Sequence, residues 1–446
     1  MVVSVAADGS IGAIQPAAQM PDGGRGAELV EGIVVPGMPN GHSHAFQRAM
    51  AGDTEFRLSA QDSFWTWRQA MYALANRMEP DELELIATQL YVEMLKAGYT
   101  SVAEFNYLHR QRGEAAGMNA VYPNANPLWE ALCSAAETAG IGLTFLPTLY
   151  QTSDFGSQPL KPEQRRFEFE TDAFLRAVDE QRRHDRGIRR TGVAFHSLRA
   201  VPLRNLCEAA RALHSMDASM PLHIHIAEQM LEVEACRKHT GLRPIELLLD
   251  TGLLNDRWCL VHATHATPAE LEALAATRAV VCVSISTEAN LGDGFFDTQR
   301  FLNLNGRLCI GSDSQATVDP SEELRWLEYQ QRLRETRRGV LASAHESHVG
   351  TLLWRSAVEH GAAALGQPVG SLTPGSRADW LVLDPTHPAM AGGALERSLD
   401  RLVFAGGRAA IRDCMVGGKW VVRQGRHAAD DMLRSRFAAL MDKLAR

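Results

Sequence analysis

The sequence lacks three features that would place it in other classes of protein. Its seven cysteines occur singly along 446 residues, with no C-x-x-C pair, so no disulfide framework is indicated. It has no excess of basic residues, because the formal net charge is −8, which disfavours a general role on nucleic acid. It also has no signal peptide and no apolar run long enough to span a bilayer. We therefore expect a protein of the reducing cytoplasm that binds neither nucleic acid nor membranes.

Three of the cysteines have a position that suggests packing. Cys259, Cys282 and Cys309 lie within apolar runs that we predict to be strands. A free cysteine in such a run behaves as a small hydrophobic residue. We interpret these three thiols as buried core residues.

Two histidines follow the first long apolar run of the chain. Gly41-His42-Ser43-His44 follows residues 32–39, with Asn40 between them. In an extended strand, side chains two residues apart face the same side, so His42 and His44 direct two imidazoles at one point. Neutral imidazole is a common ligand of zinc and iron. On this motif alone, two metal ligands and two loop histidines at the surface are equally good interpretations.

Seven further apolar runs end in polar residues, and helix-like segments separate most of them. Strands that alternate with helices predict a parallel sheet. Eight such units that close on themselves form a (β/α)8 TIM barrel, whose active site lies at the carboxyl ends of the strands. We predict this α/β fold, with the further runs at 99–105, 141–146, 192–195, 221–226, 258–261, 279–283 and 307–311.

The segments that flank the barrel predict a small β-sandwich domain. We place the barrel at residues 36–365, the first part of the β domain at 1–35, and its second part, with a terminal helix, at 366–446. We expect the N-terminal strands to pair with the C-terminal ones. Since the opening strand begins almost at Met1, we expect that a preceding strand is lacking. We predict a turn followed by a strand within 371–384, and further C-terminal strands at 399–405, 409–416 and 419–422.

A mononuclear hydrolytic metal site needs several protein ligands, an open position for water and a base. We take His225 on the fifth strand as the third ligand and interpret His223 as a packing histidine. Asp313 ends the eighth strand. It can be both ligand and base, because a buried carboxylate beside a dication stays ionised. The alternative for Asp313, a turn or helix-cap aspartate, explains its place on the last strand less well.

Two more strand-end residues are candidates for proton transfer. Glu228 lies three residues after His225 and can carry a proton from water to a leaving nitrogen. His262, on the sixth strand, can polarise the substituent on the attacked carbon or hold the water. A lone glutamate or histidine is usually structural, but the set of residues together indicates a catalytic site.

The end of the fourth strand indicates how many ions the site holds. Two-metal barrels of this type commonly bridge their ions with a carboxylated lysine at that position. Here the sequence is Phe195-His196-Ser197-Leu198-Arg199, which contains no lysine. We therefore expect one divalent transition metal per chain, Zn2+ with Fe2+ as the alternative, since both ions accept three histidines and an aspartate.

Together these residues resemble the amidohydrolase superfamily over essentially the whole chain. Its deaminase branch has H-x-H on the first strand, histidine on the fifth with glutamate three residues later, histidine on the sixth and aspartate on the eighth. The resemblance narrows to a subgroup of deiminases that act on an acyclic formimino group of a dicarboxylic substrate. The markers of this subgroup are GHSHAFQR at 41–48, WTWR at 65–68, FNYLH at 105–109, FHSLRA at 195–200 and HIHIAEQ at 223–229.

The resemblance implies a binding site for a small dicarboxylate amidine. Arg68 and Arg199 can each bind a carboxylate in a bidentate manner, and Tyr107 can donate one more hydrogen bond. Gln47 is expected to recognise the formimino nitrogens, and His196 to orient the α-carboxylate end. Without the resemblance, Arg68 is better explained as a surface helix arginine. The expected reaction is metal-dependent hydrolysis that releases ammonia, and a homodimer is expected.

Two alternatives remain open at this point. Another deaminase of the same branch, acting on a guanine-, adenosine- or cytosine-type ring, would need an aromatic or amide-lined pocket rather than two arginines. The other alternative is a barrel that has lost catalysis and serves in binding or assembly, because a fold does not determine a function. The metal and acid–base positions argue against it.

Overall fold

The computed structural model describes residues 1–20, 24–56, 64–110 and 126–445, in which strands and helices alternate. The strands are β1 (Val2–Val5), β2 (Ile11–Gln15), β3 (Ile33–Pro36), β4 (Met38–Ser43), β5 (Tyr99–Asn106), β6 (Gly142–Leu149), β7 (Arg189–Thr191), β8 (Val193–Phe195), β9 (Leu222–Ile226), β10 (Trp258–His262), β11 (Val280–Val283), β12 (Arg307–Ile310), β13 (Trp380–Leu383), β14 (Ile411–Val416), β15 (Lys419–Arg423) and β16 (Arg426–His427).

Most of the α-helices lie between strands of the ring. They are α1 (Phe64–Arg77), α2 (Pro80–Ala97), α3 (Pro127–Ala139), α4 (Thr171–Arg182), α5 (Leu203–Met216), α6 (Met230–Thr240), α7 (Pro244–Leu249), α8 (Pro268–Thr277), α9 (Ile285–Leu291), α10 (Thr298–Asn303), α11 (Pro320–Glu335), α12 (Val349–Leu365), α13 (Ser398–Arg401) and α14 (Asp430–Leu444). None of the described helices combines the length and the apolar character that crossing a bilayer requires.

Eight parallel strands form the ring in the order β4, β5, β6, β8, β9, β10, β11 and β12. The ends of β4 and β12 close it through a parallel bridge between Ser43 and Asp313. The amides of Ser312 and Asp313 both donate to the carbonyl of His42, at 3.0 Å. The predicted TIM barrel is confirmed, and its closure brings the first and last strand ends into direct contact.

The barrel strands are apolar and buried because helices cover the outside of the parallel sheet. Every residue of β5 and β6 is buried. Helix α2 leads into β5 through Gly98, which has a φ of 109° and ends the helix in the left-handed conformation. Glycine closes α3 before β6 in the same way, at Gly140.

The first apolar run, residues 32–39, is not a single strand, because its two halves belong to different sheets. Its first half is β3, which pairs antiparallel with β13, and its second half opens β4 of the barrel. Gly37 lies at the switch, where a Cβ would come within 2.2 Å of the Thr100 side chain. His42 therefore lies inside the first barrel strand, and His44 is the residue just after it.

The second sheet has the order β16, β15, β14, β13 and β3. The expected pairing of N-terminal with C-terminal strands holds for β3, whereas β1 and β2 form their own two-stranded sheet. This ribbon contacts the larger sheet through a bridge between Ser10 and Arg377, and Ile11 packs against Trp380. The exact domain boundaries at 36 and 365 stay a prediction.

The strand predicted at 399–405 is wrong. The segment is helical, with α13 followed by a π-helical turn at Leu402–Gly406. Leu399, Leu402 and Val403 have the i, i+3, i+4 spacing of a helix face, and Leu402 and Val403 are buried.

Candidate active site

Three imidazoles and one carboxylate meet at the mouth of the barrel. His42 Nε2 lies 3.0 Å from His225 Nε2 and 3.3 Å from Asp313 Oδ1. His44 Nε2 lies 3.5 Å from the same Asp313 oxygen. The ligand nitrogens of the three histidines all lie within 4.8 Å of one another, so this cluster could hold a metal ion.

Backbone carbonyls orient two of these rings. His44 Nδ1 donates to the carbonyl of Phe105 at 2.8 Å, and His225 Nδ1 donates to the carbonyl of His196 at 3.0 Å. Because a carbonyl can only accept, the Nδ1 atoms carry the protons and the Nε2 lone pairs face the cluster. The backbone thus fixes the tautomer that a metal ligand needs.

The charges of the cluster also suit a cation. Burial lowers the pKa of His42 to about 3 and lowers the pKa of His44 and of His225, so all three rings are neutral near pH 7. Burial alone would raise the pKa of Asp313, but the interaction with His42, which includes a hydrogen bond, and the positive charge of His262 hold it well below its usual range. Neutral imidazoles beside an ionised carboxylate are the donor set of a mononuclear zinc or iron site.

His223 points elsewhere, although it lies on the same strand as His225. Its Nε2 donates to the carbonyl of Ala364 at 2.8 Å, and its ring is fully buried. This contact is that of a packing histidine.

Glu228 and His262 lie beside the four clustered residues. His262 Nε2 is 3.6 Å from Glu228 Oε1 and 3.7 Å from Asp313 Oδ2. Burial raises the pKa of Glu228 to about 7. Burial lowers the pKa of His262, but the carboxylates of Glu228, Glu288 and Asp313 outweigh it and raise the value to about 10. The site thus pairs a carboxyl that titrates near neutrality with a cationic imidazole.

Glu288 is a site residue that sequence reasoning missed. Its Oε1 lies 3.4 Å from His262 Nδ1, on the side of the ring that faces away from Glu228, and it accepts from the amide of Ser284 at 3.2 Å. The side chain is fully buried. A signal was present, because Glu288 follows Ser284 by one helical turn at the end of the seventh strand.

Glu104 is a second missed residue, and it supports the H-x-H segment. It accepts from the amide of Ala45 at 2.6 Å and from Ser43 Oγ at 2.9 Å. Burial raises its pKa to about 7. The signal here was a carboxylate inside the apolar run at 99–105, where a charge is costly unless it is hydrogen-bonded.

A cleft of about 670 Å³ opens above the cluster. All five residues predicted to bind substrate line it, namely Gln47, Arg68, Tyr107, His196 and Arg199. The Arg68 guanidinium carbon lies 5.3 Å from the centre of the Trp65 ring, and the residue is only 9% exposed. Its position differs from that of a surface helix arginine.

The cleft contains two cations and an unused hydrogen-bond acceptor. Burial lowers the pKa of His196, and the positive charges of Arg199 and Arg68 lower it further. Gln47 Nε2 donates to the Tyr107 hydroxyl at 2.9 Å. Among the described residues, Gln47 Oε1 has no hydrogen-bond partner. The cleft thus offers two cations and one free acceptor to a bound molecule.

The barrel and its strand-end histidines match a known family. A sequence model of the amidohydrolase family covers residues 33–421 of this chain. The chain belongs to the amidohydrolase family. Among curated amidohydrolases, the formimidoylglutamate deiminase of Pseudomonas aeruginosa is 46% identical over 441 residues, which are 99% of this chain and 95% of that protein. A 5-methylthioadenosine/S-adenosylhomocysteine deaminase of Nitratidesulfovibrio vulgaris is 27% identical over 462 residues, 99% and 93% of the two chains.

Solved structures of other proteins share the whole fold. The crystal structure of an amidohydrolase from Brucella melitensis superposes with a TM-score of 0.87 at 37% identity and covers 100% of this chain and 96% of that one. An adenosine deaminase from Xanthomonas campestris, solved with bound zinc, has a TM-score of 0.78 at 21% identity, with 99% and 93% covered. The narrower resemblance drawn from the sequence markers, to the formimidoylglutamate deiminases, is confirmed.

Proposed function

We propose that this amidohydrolase is a formimidoylglutamate deiminase, which hydrolyses N-formimino-L-glutamate to N-formyl-L-glutamate and ammonia. The observation that carries the proposal is one cleft that is lined both by two arginines and by residues of the histidine–carboxylate cluster. This arrangement matches a substrate with two carboxylates and one formimino group. The similarity to the curated Pseudomonas aeruginosa enzyme supports the same assignment.

The metal ligands in this proposal are His42, His44, His225 and Asp313. Zinc is favoured, with iron as the alternative, and the zinc-bound deaminase of the same fold supports this choice. A divalent metal held by these four residues would make the attacking water acidic enough to give up a proton near pH 7. The neutral rings and the ionised carboxylate of the cluster fit such an ion.

Three residues move or hold the protons of the reaction. Asp313 takes a proton from the attacking water as the new C–O bond forms at the formimino carbon. Glu228 delivers a proton to the departing nitrogen, and its pKa near 7 suits a group that must both accept and donate. His262 steadies the charge that develops at the reacting centre. As the C–N bond breaks and ammonia leaves, the hydroxyl on the formimino carbon gives its proton to the now ionised Glu228 and becomes the carbonyl of the formyl product.

The five cleft residues place the substrate. Arg68 and Arg199 bind its carboxylates by charge-assisted hydrogen bonds. The Tyr107 hydroxyl donates to Met71 Sδ at 3.7 Å, a weak acceptor that it can exchange for a carboxylate oxygen. His196 orients the α-carboxylate end. Because the Gln47 amide nitrogen is already committed to Tyr107, the free Gln47 oxygen accepts from a formimino N–H.

Ammonia release from formiminoglutamate tests the reaction directly. We expect release by the metal-loaded protein and loss of release after treatment with a chelator. No release by protein with one ion per chain would defeat the substrate assignment. Elemental analysis that finds no stoichiometric metal would instead favour a barrel that only binds.

Arg199→Ala tests the substrate class. It should raise KM for formiminoglutamate by roughly 10- to 150-fold, equivalent to about 1.5–3 kcal/mol for a charged hydrogen bond, and leave a neutral N-alkylformamidine almost unaffected. Arg204→Ala, at an exposed arginine of α5, is the matched control. Equal effects on the two substrates would favour a deaminase of ring substrates.

We also propose a cytoplasmic homodimer. The seven free thiols, six of them buried, support a reducing compartment. Sedimentation equilibrium of the purified protein measures the oligomeric state, and a monomer at micromolar concentration would contradict the dimer.

A further inference from the structure

Three buried thiols meet inside the barrel, below the histidine cluster. Cys259, Cys282 and Cys309 lie on the neighbouring strands β10, β11 and β12, and none of them is exposed. Their sulfur atoms all lie within 4.8 Å of one another. The three cysteines are far apart in the sequence. The sequence alone therefore indicated three buried thiols, but not that they lie close together.

The register of the strands explains why the three sulfur atoms lie close together. Cys282 pairs directly with Cys309 across β11 and β12. On the other side Cys282 pairs with Val261, and Cys259 lies two residues before Val261, on the same face of β10. The offset follows the stagger of strands in a closed barrel, which brings residues of one layer to the same height.

The sulfurs point into the barrel, toward the first strand. A Cβ added to Gly41 would lie 2.7 Å from Cys309 Sγ and 2.9 Å from Cys282 Sγ. Gly41 immediately precedes His42, so the thiols form the layer directly below the histidine cluster. Only a residue without a side chain leaves room for the sulfurs at this position.

The spacing suits one ion with three sulfur ligands. Sulfurs bound at about 2.3 Å to an ion in their own plane stand about 4 Å apart, within the observed limit. The metal ligand is the thiolate.

We propose that Cys259, Cys282 and Cys309 form a second metal site, which takes a soft, closed-shell dication of the zinc–cadmium–mercury class. Each S–H bond is replaced by a bond from sulfur to the metal, so that binding releases three protons and transfers no electron. The bound unit carries one net negative charge, and Arg307, at the start of β12, supplies the nearest compensating charge along that strand. A metal bound here would link three neighbouring strands. Of these, β10 ends at His262 and β12 leads to Asp313.

Cadmium is the probe, because its bonds to thiolates give an ultraviolet charge-transfer absorption that nitrogen and oxygen ligands do not give. The protein is produced in cells grown with cadmium, so that the ion is present while the chain folds and burial does not block entry. We expect one metal equivalent per chain in addition to the ion of the histidine site, together with the thiolate absorption. Ammonia release is not used as a readout, so the outcome is independent of the proposed function.

Two variants make the test specific. Cys282→Ala should lose one metal equivalent per chain and the absorption band, and Cys259→Ala should do the same. Cys414→Ala is the matched control, because Cys414 is also a fully buried strand thiol but lies on β14, in the other sheet. Wild-type protein without the band, or a band that survives in Cys282→Ala and Cys259→Ala, would overturn the proposal.

Discussion

His262 is held in its charged form by carboxylates on several sides. Glu228 and Asp313 face its Nε2, while Glu288 faces its Nδ1 from inside the protein. Glu228 and Asp313 also face the reaction, and Glu288 does not. Glu288 is therefore a positioning residue, which acts on the reaction through the ring that it holds.

Glu288→Gln should weaken the stabilisation of the charged His262 ring and keep a side chain of similar volume beside it. We expect kcat to fall by roughly 10- to 100-fold, as for other groups that orient site residues. Since a neutral amide favours the imidazolium less than a carboxylate does, the pKa of His262 should fall, and the alkaline limb of the kcat profile should move to lower pH. Glu272→Gln, at an exposed residue of α8, is the control. An unmoved alkaline limb would show that Glu288 serves only in packing.

The site residues at the ends of strands were predicted from the sequence. Glu288 and Glu104, which support the site from the interior of the protein, were not. His42, His44 and His225 were found because a period of two and an apolar run place them at known positions. Glu288 lies on a helix after its strand, and only the path of that helix decides that it turns back toward His262. Glu104 was visible as a charge in an apolar run, but its partners lie elsewhere in the chain, Ser43 at the end of β4 and Ala45 two residues beyond it.

Barrel closure depends on close approach between β4 and β12. A Cβ at Gly311 would lie 2.7 Å from His42 Cβ and 2.8 Å from the His42 carbonyl oxygen. Most of the barrel strands were predictable because an apolar run marks each of them in the sequence. The split of the first run between β3 and β4 was not, because both halves are equally apolar and only the position of β13 separates them.

Gly311→Ala should force the last strand away from the first. We expect a loss of stability of about 1–3 kcal/mol, typical of an overpacked core, together with weaker metal binding, since His42 and Asp313 move apart. Thermal unfolding and metal content measure the two effects. Gly12→Ala is the control, because its added Cβ would meet only the Ser4 hydroxyl, at 3.0 Å, in the N-terminal ribbon. A normal metal content in a destabilised Gly311→Ala protein would contradict the link between closure and binding.

A buried ion pair connects the second sheet to the bottom of the barrel. Arg377 donates to Asp379 at 2.7 Å and also to the Gln367 side chain. Gln367 in turn donates to Thr144 on β6, at 2.7 Å. The pair is almost fully buried, with Asp379 at 0% exposure. Such a pair is costly to break, because the remaining charge stays buried.

Asp379→Asn should therefore destabilise the whole chain. We expect a loss of about 3–5 kcal/mol in the free energy of unfolding, measured in denaturant. The exposed pair of Arg423 and Glu28, 2.6 Å apart, offers the control, and Glu28→Gln should produce no measurable change. Similar losses in the two variants would contradict the role of burial.

Buried neutral histidines make the stability of the protein depend on pH. Burial lowers the pKa of His109 to about 3, against an ordinary value near 6.5. Its Nε2 donates to the Thr148 carbonyl at 2.7 Å, and its Nδ1 accepts from Trp129 at 3.1 Å. As pH falls from 6.5 toward 3, the unfolded chain binds a proton that the folded chain excludes, and stability is lost.

His109→Gln should remove this part of the acid sensitivity. Between pH 4 and 6 the slope of the unfolding free energy should become shallower by about 1.4 kcal/mol per pH unit, the value for one proton. Denaturant titrations at several pH values measure it. His184→Gln, at an exposed histidine, should leave the slope unchanged. A slope that stays the same in His109→Gln would mean that this ring is protonated in the folded protein.

The single glycine between β3 and β4 restricts how substrate can enter. Gly37 donates to the Asp379 carbonyl at 3.2 Å, and the next residue, Met38, donates to the Gly98 carbonyl at 3.0 Å. Because only one residue separates the two sheets, we expect rotation of the smaller sheet to displace β4 and, with it, His42 and His44. The rim of the cleft lies outside this junction, and there Asn290 donates to Glu55 at 2.6 Å. We therefore expect substrate and ammonia to pass at the rim while the smaller sheet stays in place.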